Sequence, residues 1–129
     1  MPNFRISSFK FKIGSYFGSH QCIEYRKNKV IHTYSDYPLN NPIHTPNIIE
    51  RLVADDELKP LNEMLPSIVL WEKYSWDSDV TDGIEWSLHI HCGRQQIIRA
   101  GYCTFTSEYE KMEKILGELS GRKLFKEEA

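Results

Sequence analysis

The sequence lacks a long hydrophobic run and the pattern of a signal peptide. Its longest apolar stretch, Ile68 to Trp71, is far shorter than the roughly 20 residues that a membrane-spanning helix needs. The first residues alternate apolar side chains with Arg and Lys, whereas a signal peptide has an uninterrupted apolar core. We therefore expect a cytoplasmic protein that has no membrane partner.

An excess of positive charge and a set of paired cysteines are lacking too. Lys and Arg number 16, Asp and Glu number 18, and the formal net charge is -2. This balance argues against general nucleic-acid binding, which needs a broad positive field. Cys22, Cys92 and Cys103 form no CxxC pair and no regular spacing, a pattern typical of reduced thiols.

The remaining composition is that of an ordinary globular domain. Hydrophobic residues make up 40% and charged residues 26% of the 129 positions, and a chain of this length closes one hydrophobic core. We expect one domain over residues 1–129, of which residues 120–129 form a flexible tail. The sequence shows no internal repeat.

Several segments have the two-residue period of strands. Phe9, Phe11 and Ile13 alternate with lysines, and Ile84 to Cys92 is the most regular alternation in the chain. Lys27 and Asn28 separate two β-branched and aromatic runs, which predicts a hairpin, and Gly93 with Arg94 predicts another turn. The segment "SIVLWEKYSW" fits either a strand or a helix by its pattern, and its length and the β-branched Ile68 and Val69 favour a strand. A loop is predicted over 35–46.

Three helices are predicted from apolar stripes and caps. The first begins at Thr45 and Pro46, a hydroxyl cap followed by a proline. The second begins at Asp55 and Asp56 and stops at Pro66, and the third runs from Ser107 to Gly121, with Glu110 completing a capping box. The apolar stripes are Ile48, Ile49, Leu52 and Val53; then Leu58, Leu61 and Leu65; then Met112, Ile115, Leu116 and Leu119.

These elements predict an α+β fold. We expect an antiparallel β-sheet of five or six strands with two or three helices packed on one face. The second face of such a sheet is turned toward solvent or toward a partner.

The C-terminal half of the sequence resembles a group of small bacterial immunity-like proteins. The shared pattern is a Trp and a Tyr three apart, an Asp-Gly, a Trp-x-Leu-x-Ile strand and a glycine after it. The matching positions are Trp71, Tyr74, Asp82, Gly83, Trp86, Leu88, Ile90 and Gly101. The resemblance implies an α+β scaffold of bacterial origin that binds and neutralises a cognate toxin.

His89 and His91 are the first candidate site. Side chains two apart on a strand share one face, about 7 Å apart at Cα level, so a third ligand from another strand would complete a metal site. The candidates for that ligand are His20, Cys22, Glu24 and Glu85. The alternative, which we favour, is that both imidazoles lie on a solvated face opposite Trp86 and Leu88.

The other candidates have weaker chemistry. Cys92 follows His91 directly, and neighbours on a strand point to opposite faces, so the two cannot act as nucleophile and base. Asp77, Asp79 and Asp82 resemble a calcium loop in composition but lack its glutamate, and turn formation is favoured. The glycine-flanked aromatics Tyr16 and Phe17 have the character of residues that anchor a partner.

Three functions are therefore considered. The favoured one is a non-enzymatic binding protein of the immunity type, without a cofactor, whose partner is a protein toxin or effector; a homodimer is compatible with it. The alternative is a small-ligand protein, bacterial or phage, that sequesters a nucleotide signal with Arg26, Arg94 or Arg99 on the phosphate. A metal-dependent hydrolase using His89 and His91 comes last, since no nucleophile, base and orienting group are recognisable. The predicted binding residues are Tyr16, Phe17, Glu85, Ser87, His89, His91 and Arg94.

Overall fold

A computed structural model describes residues 5–15, 20–35, 47–76, 84–102 and 108–120 of the protein. These residues contain seven strands, two α-helices and one short 3₁₀ helix. The strands are β1 (Ser8–Ser15), β2 (His20–Arg26), β3 (Lys29–Ser35), β4 (Asn47–Leu52), β5 (Tyr74–Trp76), β6 (Ile84–Cys92) and β7 (Gln95–Tyr102). The helices are the 3₁₀ helix (Asp55–Leu58), α1 (Lys59–Val69) and α2 (Tyr109–Ser120).

All seven strands belong to one sheet, in the order β4-β3-β2-β1-β6-β7-β5. The first six strands of this order pair antiparallel, and β5 adds a short parallel edge beside β7. Both α-helices pack against one face of the sheet and share a single hydrophobic core with it. The prediction of an α+β fold with an antiparallel sheet is confirmed.

Two tight hairpin turns set the register of the sheet. Lys27 and Asn28 both have positive φ, at 52° and 64°, the backbone twist that a two-residue hairpin turn requires. Gly93, at φ 63°, joins β6 to β7, and a glycine adopts this conformation without the steric cost that a Cβ brings. The predicted hairpin and the predicted turn are confirmed.

The core lies between the sheet and the helices. The inward side chains of β1 and of the middle of β6 are almost fully buried, and so are the apolar stripes of α1 and α2. Trp86 is the largest of them, with its ring 5.3 Å from Tyr109 and edge-on to Trp71 at 6.1 Å between centroids. The predicted stripes of the second and third helices are confirmed by Leu58, Leu61, Leu65, Met112, Ile115, Leu116 and Leu119.

The prediction of a helix from Thr45 through Val53 is wrong. Residues 47–52 form strand β4 at the edge of the sheet, paired with β3. Ile48 and Leu52, assigned to a buried helical stripe, are 55% and 76% exposed. An apolar pattern at i, i+1, i+4 and i+5 fits a helix. A strand is favoured instead because β3 offers backbone hydrogen-bonding groups to pair with and because Ile48 and Ile49 are β-branched. Thr45 and Pro46 themselves lie outside the described residues.

The predicted stop at Pro66 and the predicted strand that follows it are also wrong. Helix α1 continues through Pro66 to Val69, and the strand is reduced to Tyr74–Trp76. Proline removes one helix hydrogen bond and crowds the carbonyl four residues earlier. Pro66 is exposed and one turn from the end of the helix, whereas Ile68 beyond it is fully buried. Burial of Ile68 therefore outweighs the local cost of the proline.

The start of the second helix differs from the prediction in its cap. Asp55 and Asp56 lie in the first turn of the 3₁₀ helix, and Ala54 is the capping residue. The side chain of Glu57 caps the turn instead, because its Oε2 accepts a hydrogen bond of 2.9 Å from the Ala54 N–H. Proline at position 60 is accommodated in the first turn of α1, where it displaces no helix hydrogen bond.

The ends of α2 are described in part. Ser107 and Gly121, the predicted cap and stop, lie outside the described residues, as do residues 36–46 of the predicted loop and 121–129 of the predicted tail. Ser120, assigned to that tail, is the buried last residue of α2. Across the described ranges, neither helix is long and apolar enough to cross a membrane.

Candidate binding face

The side of the sheet that faces away from the helices is called the open face. Its side chains come from alternate residues of β1 to β4, β6 and β7, and the register arranges them in rows across the strands. Four rows cross β6, β1 and β2: His91, Ser8 and Arg26; His89, Lys10 and Glu24; Ser87, Lys12 and Cys22; and Glu85, Gly14 and His20. Four of the seven predicted binding residues therefore share this face, all of them on β6.

Strand β6 separates two environments. Trp86, Leu88 and Ile90 point toward the helices and are at most 1% exposed. The side chains between them point the other way: Glu85 is exposed, and Ser87, His89 and His91 are half-buried. The expectation that the two histidines lie opposite the buried indole is confirmed.

The two imidazoles stack on each other. Their ring centroids are 4.6 Å apart and the planes are inclined by 27°. The Nε2 atom of His89 also lies 2.9 Å from the amide Oε1 of Gln96 on β7. The pair is thus held in place on a strand that is hydrogen-bonded on both sides, and its ring edges are partly accessible to a partner.

A third metal ligand does not join the histidines within the described part of the chain. Lys10 lies between His89 and Glu24 in the same row, and Ser87 separates Glu85 from His89. A cation at this central position repels a metal ion and blocks access to the carboxylate behind it. Over the described ranges, no three His, Cys, Asp or Glu side chains are placed to share a metal.

Cys92 and His91 do not form a nucleophile with a base. Cys92 lies on the helix side of β6 and His91 on the open face, as the strand period predicted. Burial raises the pKa of Cys92. Burial also raises the pKa of Cys22 on the open face, although Lys10 and Lys12 act in the opposite direction. A raised pKa keeps a thiol protonated and slow to react near neutral pH.

Two inward arginines bind helix ends. Arg99 of β7 is buried and donates from Nη2 to the Val69 carbonyl, at 2.8 Å, where α1 ends. Arg51 of β4 donates from Nη1 to the Leu119 carbonyl near the end of α2, at 2.9 Å, and from Nη2 to Glu57 at 2.6 Å. Cations are favourable at helix C-termini because the last carbonyls have no partners within the helix. Arg99, a candidate phosphate ligand in the sequence, is therefore used inside the protein.

The remaining predicted residues are placed in part. Arg94 is exposed in the turn between β6 and β7. Tyr16 and Phe17 lie outside the described residues, as do Asp77, Asp79, Asp82 and Cys103. The predicted set omitted Lys10 and Lys12, which lie at the centre of the open face beside His89 and Ser87. Their alternation with Phe9, Phe11 and Ile13 was the signal that placed them on this face.

The positions that carry the resemblance to immunity-like proteins belong mostly to the inner side of the sheet. Trp86, Leu88 and Ile90 are core residues, Trp71 packs edge-on against Trp86, and buried Gly101 lies opposite Trp86 in register. Such positions specify packing rather than a binding surface.

No model of a known protein family matches the chain, and no match was found among curated proteins.

Proposed function

We propose that the protein is a non-enzymatic binding protein of the immunity type, which neutralises a bacterial toxin or effector by docking on it through the open face. The observation that supports this proposal is the segregation of side chains on the sheet. The helices cover one side, and the other side presents Glu85, Ser87, His89 and His91 together with Lys10 and Lys12.

The flat area of the open face is somewhat more than half of what a protein interface buries on one partner. Six strands about 4.8 Å apart and seven residues long give a surface of roughly 24 by 20 Å. A specific interface buries about 800 Å² on each partner. The remaining area comes from side chains that protrude from the sheet and from the two adjacent turns. One of these turns carries exposed Arg94.

The chemistry of the face also suits recognition. Carboxylate, hydroxyl, imidazole and ammonium groups lie side by side on paired strands, which fixes their positions before a partner arrives. A rigid surface loses little conformational entropy on binding, so more of the contact energy appears as affinity. The stacked histidines add two aromatic rings near the centre of the face.

The test uses any toxic product of a gene adjacent to the gene for this protein. Co-expression should suppress its toxicity, and the purified proteins should form a complex. The double variant Glu85→Trp with His89→Ala should weaken the complex by at least about tenfold, because one change adds bulk to the proposed contact surface and the other removes an aromatic ring from it. Its circular dichroism spectrum should be unchanged, since neither side chain belongs to the core.

Lys111→Glu with Lys114→Glu is the matched control, because both lysines are exposed on α2. This variant should retain wild-type affinity. Unchanged affinity of the Glu85 and His89 variant, or absence of any complex and any protection, would contradict the proposal.

A further inference from the structure

The net charge of the chain is near zero, but among the described residues the open face and the helix layer carry opposite charge. Among the described residues, the open face and the turns at its edge carry six cations and three carboxylates: Lys10, Lys12, Arg26, Lys27, Lys29 and Arg94 against Glu24, Glu50 and Glu85. The helix layer, residues 55–69 and 108–120, has the opposite excess. It carries eight carboxylates and three lysines: Asp55, Asp56, Glu57, Glu63, Glu108, Glu110, Glu113 and Glu118 against Lys59, Lys111 and Lys114.

Most cations of the open face are not neutralised by the described part of the chain. Lys29 pairs with Glu50, with 3.2 Å between Nζ and Oε1. Over the described ranges, the other two ion pairs lie on the helix side and join Arg5 to Asp55 and Arg51 to Glu57. Lys10, Lys12, Arg26, Lys27 and Arg94 are therefore exposed cations without an ion pair among these residues.

Four of the cations lie at one end of the sheet. Arg26 and His91 both pair with Ser8, so the β2–β3 turn and the β6–β7 turn project from the same end. This end, called the basic corner, consists of Arg26, Lys27, Lys29 and Arg94. Within the described ranges, Arg26, Lys27 and Arg94 have no ion pair, and His91 lies in the same row as Arg26, with Ser8 between them.

We propose that the partner presents an acidic protein surface, whose carboxylates bind the basic corner while its centre covers His89 and His91. This inference rests on the proposed function and specifies the chemistry of the partner. Arginine binds a carboxylate with two parallel hydrogen bonds, and complementary charge raises the association rate and excludes partners of the wrong sign.

A protein surface fits the open face better than a nucleic acid does. Glu24, Glu50 and Glu85 interrupt the cations and would repel a continuous phosphate chain. Exposed Ile98, next to His89 on β7, offers an apolar contact that a protein partner uses and a phosphate backbone does not.

The direct test uses poly-L-glutamate as the probe and charge-matched poly(dT) as its competitor. Arg26→Glu with Arg94→Glu should weaken poly-L-glutamate binding about tenfold, measured by fluorescence anisotropy at low salt. Lys111→Glu with Lys114→Glu has the same net charge and should bind like the wild type. Amide NMR shifts should be confined to the basic corner and the adjacent ends of β1 and β6.

Equal losses in the two double variants, or no binding of poly-L-glutamate, would overturn the inference. Tighter binding of poly(dT) would assign the basic corner to nucleic acid instead. Self-association that Arg26→Glu with Arg94→Glu abolishes and Lys111→Glu with Lys114→Glu retains would assign the basic corner to the acidic helix layer of a second copy, and would overturn the inference as well.

The same variants distinguish failure of this inference from failure of the proposed function. If both double variants form the toxin complex equally well, the proposed binding function is supported, and the inference that the partner surface is acidic is contradicted. If the NMR shifts place poly-L-glutamate on the basic corner but no toxin complex forms, the preference for an acidic ligand is supported and the proposed immunity function is contradicted.

Discussion

The two sides of strand β6 differ in what their side chains do for the protein. Trp86, Leu88 and Ile90 on the inner side are buried against the helices, whereas Ser87 and His89 on the outer side stay half-buried and polar. Both sets come from the same nine residues, and a period of two separates them. The buried core contacts and the polar open face are therefore encoded in alternate positions, and each can be changed without the other.

The largest effect is expected at the inner side of β6. Trp86→Ala removes an indole that packs against Trp71 and Tyr109, and truncation of a buried tryptophan costs about 3–5 kcal/mol. Ser87→Ala, one position along on the open face, should change the free energy of unfolding by less than about 0.5 kcal/mol. Urea denaturation measures both. Similar losses in the two variants would contradict the division of β6 into two sides.

A smaller loss is expected at Arg99, an inward charge that holds the end of α1. Arg99→Met keeps most of the apolar stem but loses the bonds to the Val69 and Ile98 carbonyls. A hydrogen bond that involves a charged group contributes about 1.5–3 kcal/mol to the free energy of unfolding. Arg94→Met, in the exposed turn, is the matched control and should be neutral. If Arg99→Met unfolds at the same urea concentration as the wild type, Arg99 is not a structural cap.

A pH-dependent effect is expected at Glu57, on the helix side of the molecule. The Ala54 N–H and the Arg51 guanidinium hold the pKa of Glu57 below its usual value in the folded state. The stabilisation is therefore present above the pKa of the unfolded chain and is lost as the pH falls through the folded pKa.

Glu57→Gln should therefore be less stable than the wild type at pH 7, and the difference should shrink on acidification toward about pH 3. Urea denaturation at both pH values measures the difference. Glu63→Gln, exposed on α1, should show neither effect. A difference that stays constant between the two pH values would refute the role assigned to the carboxylate.

The smallest effect is expected at the edge strand. Ile48→Lys and Leu52→Lys replace exposed side chains of β4, so each should alter the free energy of unfolding by no more than about 0.5 kcal/mol. Leu58→Ala, which truncates a buried side chain nearby, should cost about 2–5 kcal/mol. A loss of several kcal/mol at Ile48 or Leu52 would restore the amphipathic helix that the sequence predicted there.

The sequence predicted the fold best where one pattern had one interpretation. The alternation of Ile84 to Cys92 fits a strand and not a helix, and its two faces followed from it directly. The segment from Ile48 to Val53 fits both periods, and pairing with β3 decided between them. Pro66 was interpreted from local backbone rules, although burial of Ile68 carries the helix past it.

The candidate site could be predicted to the level of one strand. His89 and Glu85 were assigned correctly to one face because the strand period fixes their direction. The neighbours of that face could not be predicted, since the order of β2, β1 and β6 in the sheet depends on long-range pairing. The central position of Lys10 and the basic corner follow from that order and not from local sequence.

The most direct test of the proposed role of the open face is an NMR titration of the protein with the toxin partner that the proposal requires. The imidazole signals of His89 and His91 and the methyl signals of Ile98 report on the open face, and the methyl signals of Leu70, which is 85% exposed, report on the end of α1. Docking on the open face predicts that the first three residues shift and that Leu70 does not. Shifts at Leu70 with unchanged histidine signals would place the partner elsewhere and contradict the account.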